Sequence, residues 1–222
     1  RRVLFRSFAS ILIDSHCRRY CVDHKLCESL VSIFRNYTES CLVVGVMQCV
    51  CEVLKSECVD LLIEPKFLES VFLCCYSGHH EEEKSSFKVL KTLADVFPQV
   101  LVEHDSFKEI LERNDVIFQK KGYMLKFLVP MMFKVDGEVG QAIFDKLEEN
   151  DYWSCLDGLS VESIMEILGI IEQGYVNEHP CIKFLAHSPS FMSSLEIIND
   201  TKELENRAKI LFDSLLPLLS DE

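Results

Sequence analysis

The chain has 222 residues, 48% hydrophobic and 27% charged, a balance that can bury a core and excludes a wholly disordered or collagen-like protein. Its formal net charge is −13, from 23 basic and 36 acidic residues, and it lacks the Lys and Arg clusters that phosphate backbones and anionic lipid require, so neither nucleic acid nor a membrane surface is an expected partner. Gly (8) and Pro (6) are few while Leu, Val, Ile, Phe and Glu recur, which points to an all-α protein of helices joined by short turns.

The first seven residues, Arg1 to Ser7 (RRVLFRS), read as the in-frame translation of a sequencing adapter, and no initiator Met precedes them. The expectation is therefore an artefact over 1–7, a repeat domain over 8–219 and an acidic tail over 220–222, in a chain opened mid-gene. Setting aside Arg1, Arg2 and Arg6 lowers the basic count from 23 to 20 and moves the charge from −13 to −16. Ile11, Leu12 and Ile13 then read as the tail of a truncated repeat.

Cys17, Cys21, His24 and Cys27 have the residue types of a zinc site. Helical spacing puts 17, 21 and 24 on one stripe, but one helix can hardly close a tetrahedron with four of its own side chains, so packing is the reading and no metal or cofactor is expected; the alternative, a small zinc-stabilised N-terminal module, needs a turn near Val22 to His24. Most other cysteines, among them Cys41, Cys49, Cys51, Cys74, Cys75, Cys155 and Cys181, fall in apolar helical runs where a thiol acts as a small hydrophobe. Reduced core thiols imply the cytosol or the nucleus.

From residue 22 onward a motif recurs in which an apolar residue and an acidic or polar one precede a large apolar anchor. The anchors Leu26, Phe67, Phe107, Trp153 and Phe191 are 41, 40, 46 and 38 residues apart. That period, near the roughly 40 to 47 residues of HEAT and armadillo units, predicts an α-solenoid of about five repeats plus the truncated one.

After each anchor the pattern predicts a short helix, a turn and a longer helix. Leu26, Leu30, Ile33 and Phe34 are followed by a turn at Asn36 to Ser40 and a long helix over Leu42 to Lys55. Phe67, Val71 and Phe72 lead to a turn at Ser77 to His80, then a helix through Phe87, Leu90, Leu93, Ala94 and Phe97 closed by Pro98. The acids of His79-His80-Glu81-Glu82-Glu83 would complement that helix's dipole. Phe107, Ile110 and Leu111 precede a break at Arg113 to Asp115 and a helix through Phe118, Leu125, Phe127 and Leu128 that Pro130 should kink. Trp153 precedes the Asp157-Gly158 turn, and Ser160 caps a helix through Ile164, Ile167, Leu168 and Ile171 up to Gly174. Phe191, Leu195 and Ile198 precede a break at Asn199 to Thr201 and a final helix through Leu204, Ala208, Leu211, Phe212 and Leu215.

Asp200 to Leu211 (DTKELENRAKIL) resembles the terminal armadillo helix of the importin-alpha adaptors, Ser163 to Gly174 (SIMEILGIIEQG) a late-repeat helix, and Val22 to Asn36 the start of their second helices. The resemblance spans most of 8–219. It implies nuclear transport adaptors that grip basic peptides with Trp and Asn one turn apart on successive third helices. Met47 and Cys51 stand where the first such pair would be, and Trp153, the only Trp, is followed four residues on by Asp157.

The longest apolar run, Leu42 to Leu54, contains Gln48 and Glu52 and is too short for a span of about 20 residues. No HExxH, Gly-rich phosphate loop or nucleophile elbow occurs, and the titratable residues are scattered, so an enzyme is not expected. The expected function is a protein-binding scaffold, with Met47, Cys51, Glu52, Asp95, Glu162, Glu166 and Glu172 as candidate peptide-groove residues and a basic or extended peptide as candidate partner. The alternative is a regulatory or assembly scaffold, such as a phosphatase or ubiquitin-ligase subunit.

Overall fold

The computed structural model describes residues 2–36, 40–55, 62–112, 118–198 and 202–220. The expected break at Arg113 to Asp115, and most of the turns at Asn36 to Ser40 and Asn199 to Thr201, lie outside them, as does most of the tail. Among the described residues there are helices and turns and no strand, so the chain is all-α. It forms two compact units, Arg1–Phe107 and Lys108–Glu222.

The first unit holds α1 (Arg2–Leu12), α2 (Ser15–Asp23), α3 (Leu26–Asn36), α4 (Ser40–Val53), α5 (Pro65–Cys74), α6 (His80–Val96) and α7 (Pro98–Glu103), with α8 (Asp105–Glu112) beginning at its end. Helix α4 packs against both α1 and α6. Its sequence calls for that position: Leu42, Val44, Val46, Met47, Cys49, Val50, Cys51 and Val53 are buried around its whole circumference, and a helix apolar on all sides needs neighbours on all sides. Gly45 makes the α1 crossing close, since a Cβ there would stand 2.7 Å from the Phe5 Cβ. Residues 2–7, expected to lie outside the domain, form the first turns of α1.

Phe34 of α3 meets Phe67 of α5 at 5.2 Å between ring centroids. His104 stacks on Phe72 at 5.4 Å and is hydrogen-bonded to the Pro65 carbonyl, tying the end of α7 to α5. The turn expected at Ser77 to His80 is present, with Gly78 at φ +80, a conformation that favours glycine. Glu81, Glu82 and Glu83 lie in the first turn of α6, where acids were expected to complement the helix dipole, and Glu82 and Glu83 are buried there. Glu83 Oε1 accepts the Gly78 amide at 3.0 Å, so this carboxylate fastens the α5–α6 turn. Pro98 opens α7 at its first turn as well as ending α6.

The second unit holds α9 (Phe118–Met132), α10 (Gly137–Glu149), a 3₁₀ turn at Trp153–Cys155, α11 (Val161–Val176), α12 (Cys181–Ala186), α13 (Pro189–Ile197), α14 (Lys202–Leu215) and a 3₁₀ turn at Leu216–Ser220. Helix α11 packs on α9 and α14, α10 on α12, and the Trp153 turn on α13. Side-chain caps start three helices: Asp136 accepts from Val139 N, Ser160 from Ser163 N and Ser188 from Phe191 N. Pro130 lies in the last turn of α9, which ends at Met132, so almost no helix follows it to be kinked. Trp153, an anchor expected to lead into a short helix, sits on a one-turn 3₁₀ segment, fully buried against Phe191 at 4.8 Å.

Candidate functional site

Met47 and Cys51 lie one turn apart on α4, 0% and 2% exposed. They floor a cleft of about 220 Å³ whose other side is α6, with Glu81, Lys84 and Lys88 at its rim. Where the importin-alpha resemblance would place a gripping Trp and Asn, these side chains are therefore part of the core. Burial pushes the Cys51 thiol up to about 11, with Lys88 pulling partly against it, and pushes Cys49 up to about 12. Both thiols are protonated near neutral pH, which makes them poor nucleophiles and poor metal ligands. Glu52, half-buried, pairs with Lys55 at 2.8 Å, and Asp95 is exposed near the end of α6.

Glu162 and Glu166 are exposed one turn apart on α11. Glu166 edges a cleft of about 410 Å³ between α9 and α11, floored by Met165, Gly169 and Ile170 and closed by Phe133 and Lys134. Two glycines permit this packing. A Cβ at Gly174 would overlap the Phe133 ring, and one at Gly169 would stand 3.1 Å from Arg207 Nη2. Arg207, from α14, makes a bidentate pair with Glu172 and also donates to the Met165 carbonyl. Hydrogen bonding to Glu172 raises the Arg207 pKa despite some burial. Glu172, expected among the groove acids, is thus neutralised by a partner 35 residues away, which no local pattern announces.

His179 completes this region. Its ring lies 5.1 Å from that of Phe133, its Nδ1 accepts the Cys181 amide at 3.3 Å, and burial lowers its pKa. The Cys17, Cys21, His24 and Cys27 set is not brought together. Cys17 is exposed near Asp14, His24 stacks on Tyr20 and bonds its carbonyl, and Cys27 is buried at the start of α3. Among the described residues no group of three or more His, Cys, Asp or Glu side chains could hold a metal ion. No helix among them is long and apolar enough to cross a membrane.

Acidity is unequal between the units. Residues 108–222 carry 11 basic and 21 acidic side chains, net −10, whereas residues 1–107 carry 12 and 15, net −3.

No family model matches the chain, and no curated protein matches it. It is similar to the crystal structure of an engineered protein, a Northeast Structural Genomics Consortium target, with a TM-score of 0.66 and 13% identity over 98% of this chain and 90% of that one. At that identity the likeness is one of fold.

Proposed function

We propose that this chain is a non-enzymatic, protein-binding α-solenoid of about five armadillo-like repeats plus a truncated one, working in the cytosol or nucleus and taking an extended basic segment of its partner along its long helices. The observation that carries this reading is the α9–α11 cleft, where the exposed carboxylate of Glu166, one turn along α11 from exposed Glu162, edges a largely apolar floor within the strongly acidic unit. An apolar floor suits lysine and arginine stems, and rim carboxylates suit their heads. The order of neighbours supports the repeat reading: α9, α11 and α14 pack in sequence order, as do α10 and α12.

In its sharper form the proposal is an importin-alpha-like transport adaptor. With Met47 and Cys51 in the core, binding would rest on carboxylates and apolar floors in place of an indole ladder. The test is a fluorescence-anisotropy titration with lysine-rich peptides and neutral peptides of equal length, at low and high salt. Saturable binding of the basic peptides that weakens with salt, and weakens several-fold in Glu162→Gln/Glu166→Gln, is expected. Equal indifference to both peptides would remove this reading and favour a regulatory or assembly scaffold.

A further inference from the structure

We infer that a second cavity in the same unit, formed by α10, α12 and the closing 3₁₀ turn, is a receptor for the cationic end of a lysine or arginine side chain presented by a partner protein. It is an open cavity of about 580 Å³, within the usual volume range of small-ligand sites. Phe144 and Glu148 are four residues apart on one face of α10. Phe184 of α12 faces Phe144 with ring centroids 5.7 Å apart, and Leu218 adds apolar surface from the 3₁₀ turn. Aromatic faces beside a carboxylate are what an organic cation requires: the rings attract the charge and cover the aliphatic stem while the carboxylate takes its N–H groups.

The carboxylate is held in place. The Ser188 and Ser190 hydroxyls both donate to Glu148 Oε2, at 2.5 and 2.8 Å, and Ser188 is 1% exposed. Both bonds fall on one oxygen, which leaves Oε1 to accept from a ligand. Two other titratable groups line the cavity, Lys183 and His187, and both are at exposed positions. Charge at the solvated mouth is screened more strongly than charge on a half-buried carboxylate, so Glu148 sets the preference and Lys183 opposes it. The cavity shares no residue with the α9–α11 cleft, so either reading can fail alone.

The test titrates the whole chain with n-butylammonium, with a blocked lysine (Nα-acetyl-lysine methylamide) and with neutral n-butanol, followed by amide chemical shifts of Phe184, His187 and Leu218. Saturable shifts with both cations, and none of comparable affinity with butanol, are expected. Glu148→Gln should weaken the cations by about tenfold, while Lys183→Gln should tighten them. Phe184→Leu, which keeps the cavity apolar but removes the ring, should weaken the cations and leave butanol unchanged, and it serves if Glu148→Gln fails to fold. Equal response to butanol, or weaker cation binding in Lys183→Gln, would overturn the inference. Binding of butylammonium with rejection of the blocked lysine would overturn the assignment to a protein side chain.

Discussion

His179 accepts a backbone amide through Nδ1, and only the neutral ring can do so. Burial lowers its pKa, so the folded state binds its proton less readily than the unfolded state. Its contribution to stability is full above the ordinary histidine value and is lost as pH falls through the depressed one. The melting temperature should therefore drop between neutral and mildly acidic pH, and His179→Asn, which can still accept the amide, should flatten that slope in differential scanning calorimetry. Glycines give a paired prediction of opposite sign. Gly174→Ala drives a methyl into the Phe133 ring and should cost about 1–3 kcal/mol. Gly137→Ala meets nothing within 4 Å in the first turn of α10 and should be neutral or stabilise by up to about 1 kcal/mol. Urea denaturation of both variants checks this. The sequence showed Gly174 as the end of an apolar stripe, but the ring above it comes from the turn after α9, 41 residues earlier, and could not be read from spacing.

At the scale of elements, the long helices were legible because each carries an apolar stripe of two or more turns: Ile164, Ile167, Leu168 and Ile171 are all buried on α11, as are Leu204, Ala208, Leu211 and Leu215 on α14. Helices α10 and α12 were not. The six residues of α12 are too few to show a period, and α10 places Gly140 where a large apolar residue would have marked its stripe. That glycine is required, because a Cβ there would come within 2.9 Å of Cys181 Sγ and 3.1 Å of the Met132 carbonyl, where α9, α10 and α12 meet. Residues 1–7 were set aside in the sequence and Ile11 to Ile13 read as the tail of a truncated repeat; in the structure Phe5 covers Gly45 and accepts a weak Cys49 thiol bond through its carbonyl. Deleting residues 1–7 removes a half-buried ring and uncovers one side of α4, and should lower stability by roughly 1 kcal/mol or more in urea denaturation. An unchanged midpoint would mean that α1 begins, in effect, at Phe8.

For the whole molecule, the sequence supported a single stretch of repeats over 8–219, and the structure divides the chain at Phe107 and Lys108. No Gly, Ser or Pro cluster signals that division, because it falls inside α8 (Asp105–Glu112). The all-α class was legible from composition and period together; the candidate site was legible only in part. Exposure of Glu162 and Glu166 agrees with the pattern, but burial of Met47 and Cys51 follows from α4 being enclosed on several sides, which is a property of its neighbours. The net charge of −13 and pI near 5.0 predict a solubility minimum, seen as turbidity, as pH is lowered toward 5, where mutual repulsion vanishes.

The sulfur placement gives each unit its own clock. Cys49 and Cys51 lie inside the first and Cys181 inside the second, while Cys17 and Cys41 are open to solvent. An alkylating reagent should mark Cys17 and Cys41 at once and reach the enclosed thiols only when their surroundings breathe, at a pace set by the opening equilibrium. Peptide-resolved mass spectrometry of a labelling time course would show one shared rate for the three if the halves open together, and two if each keeps its own time.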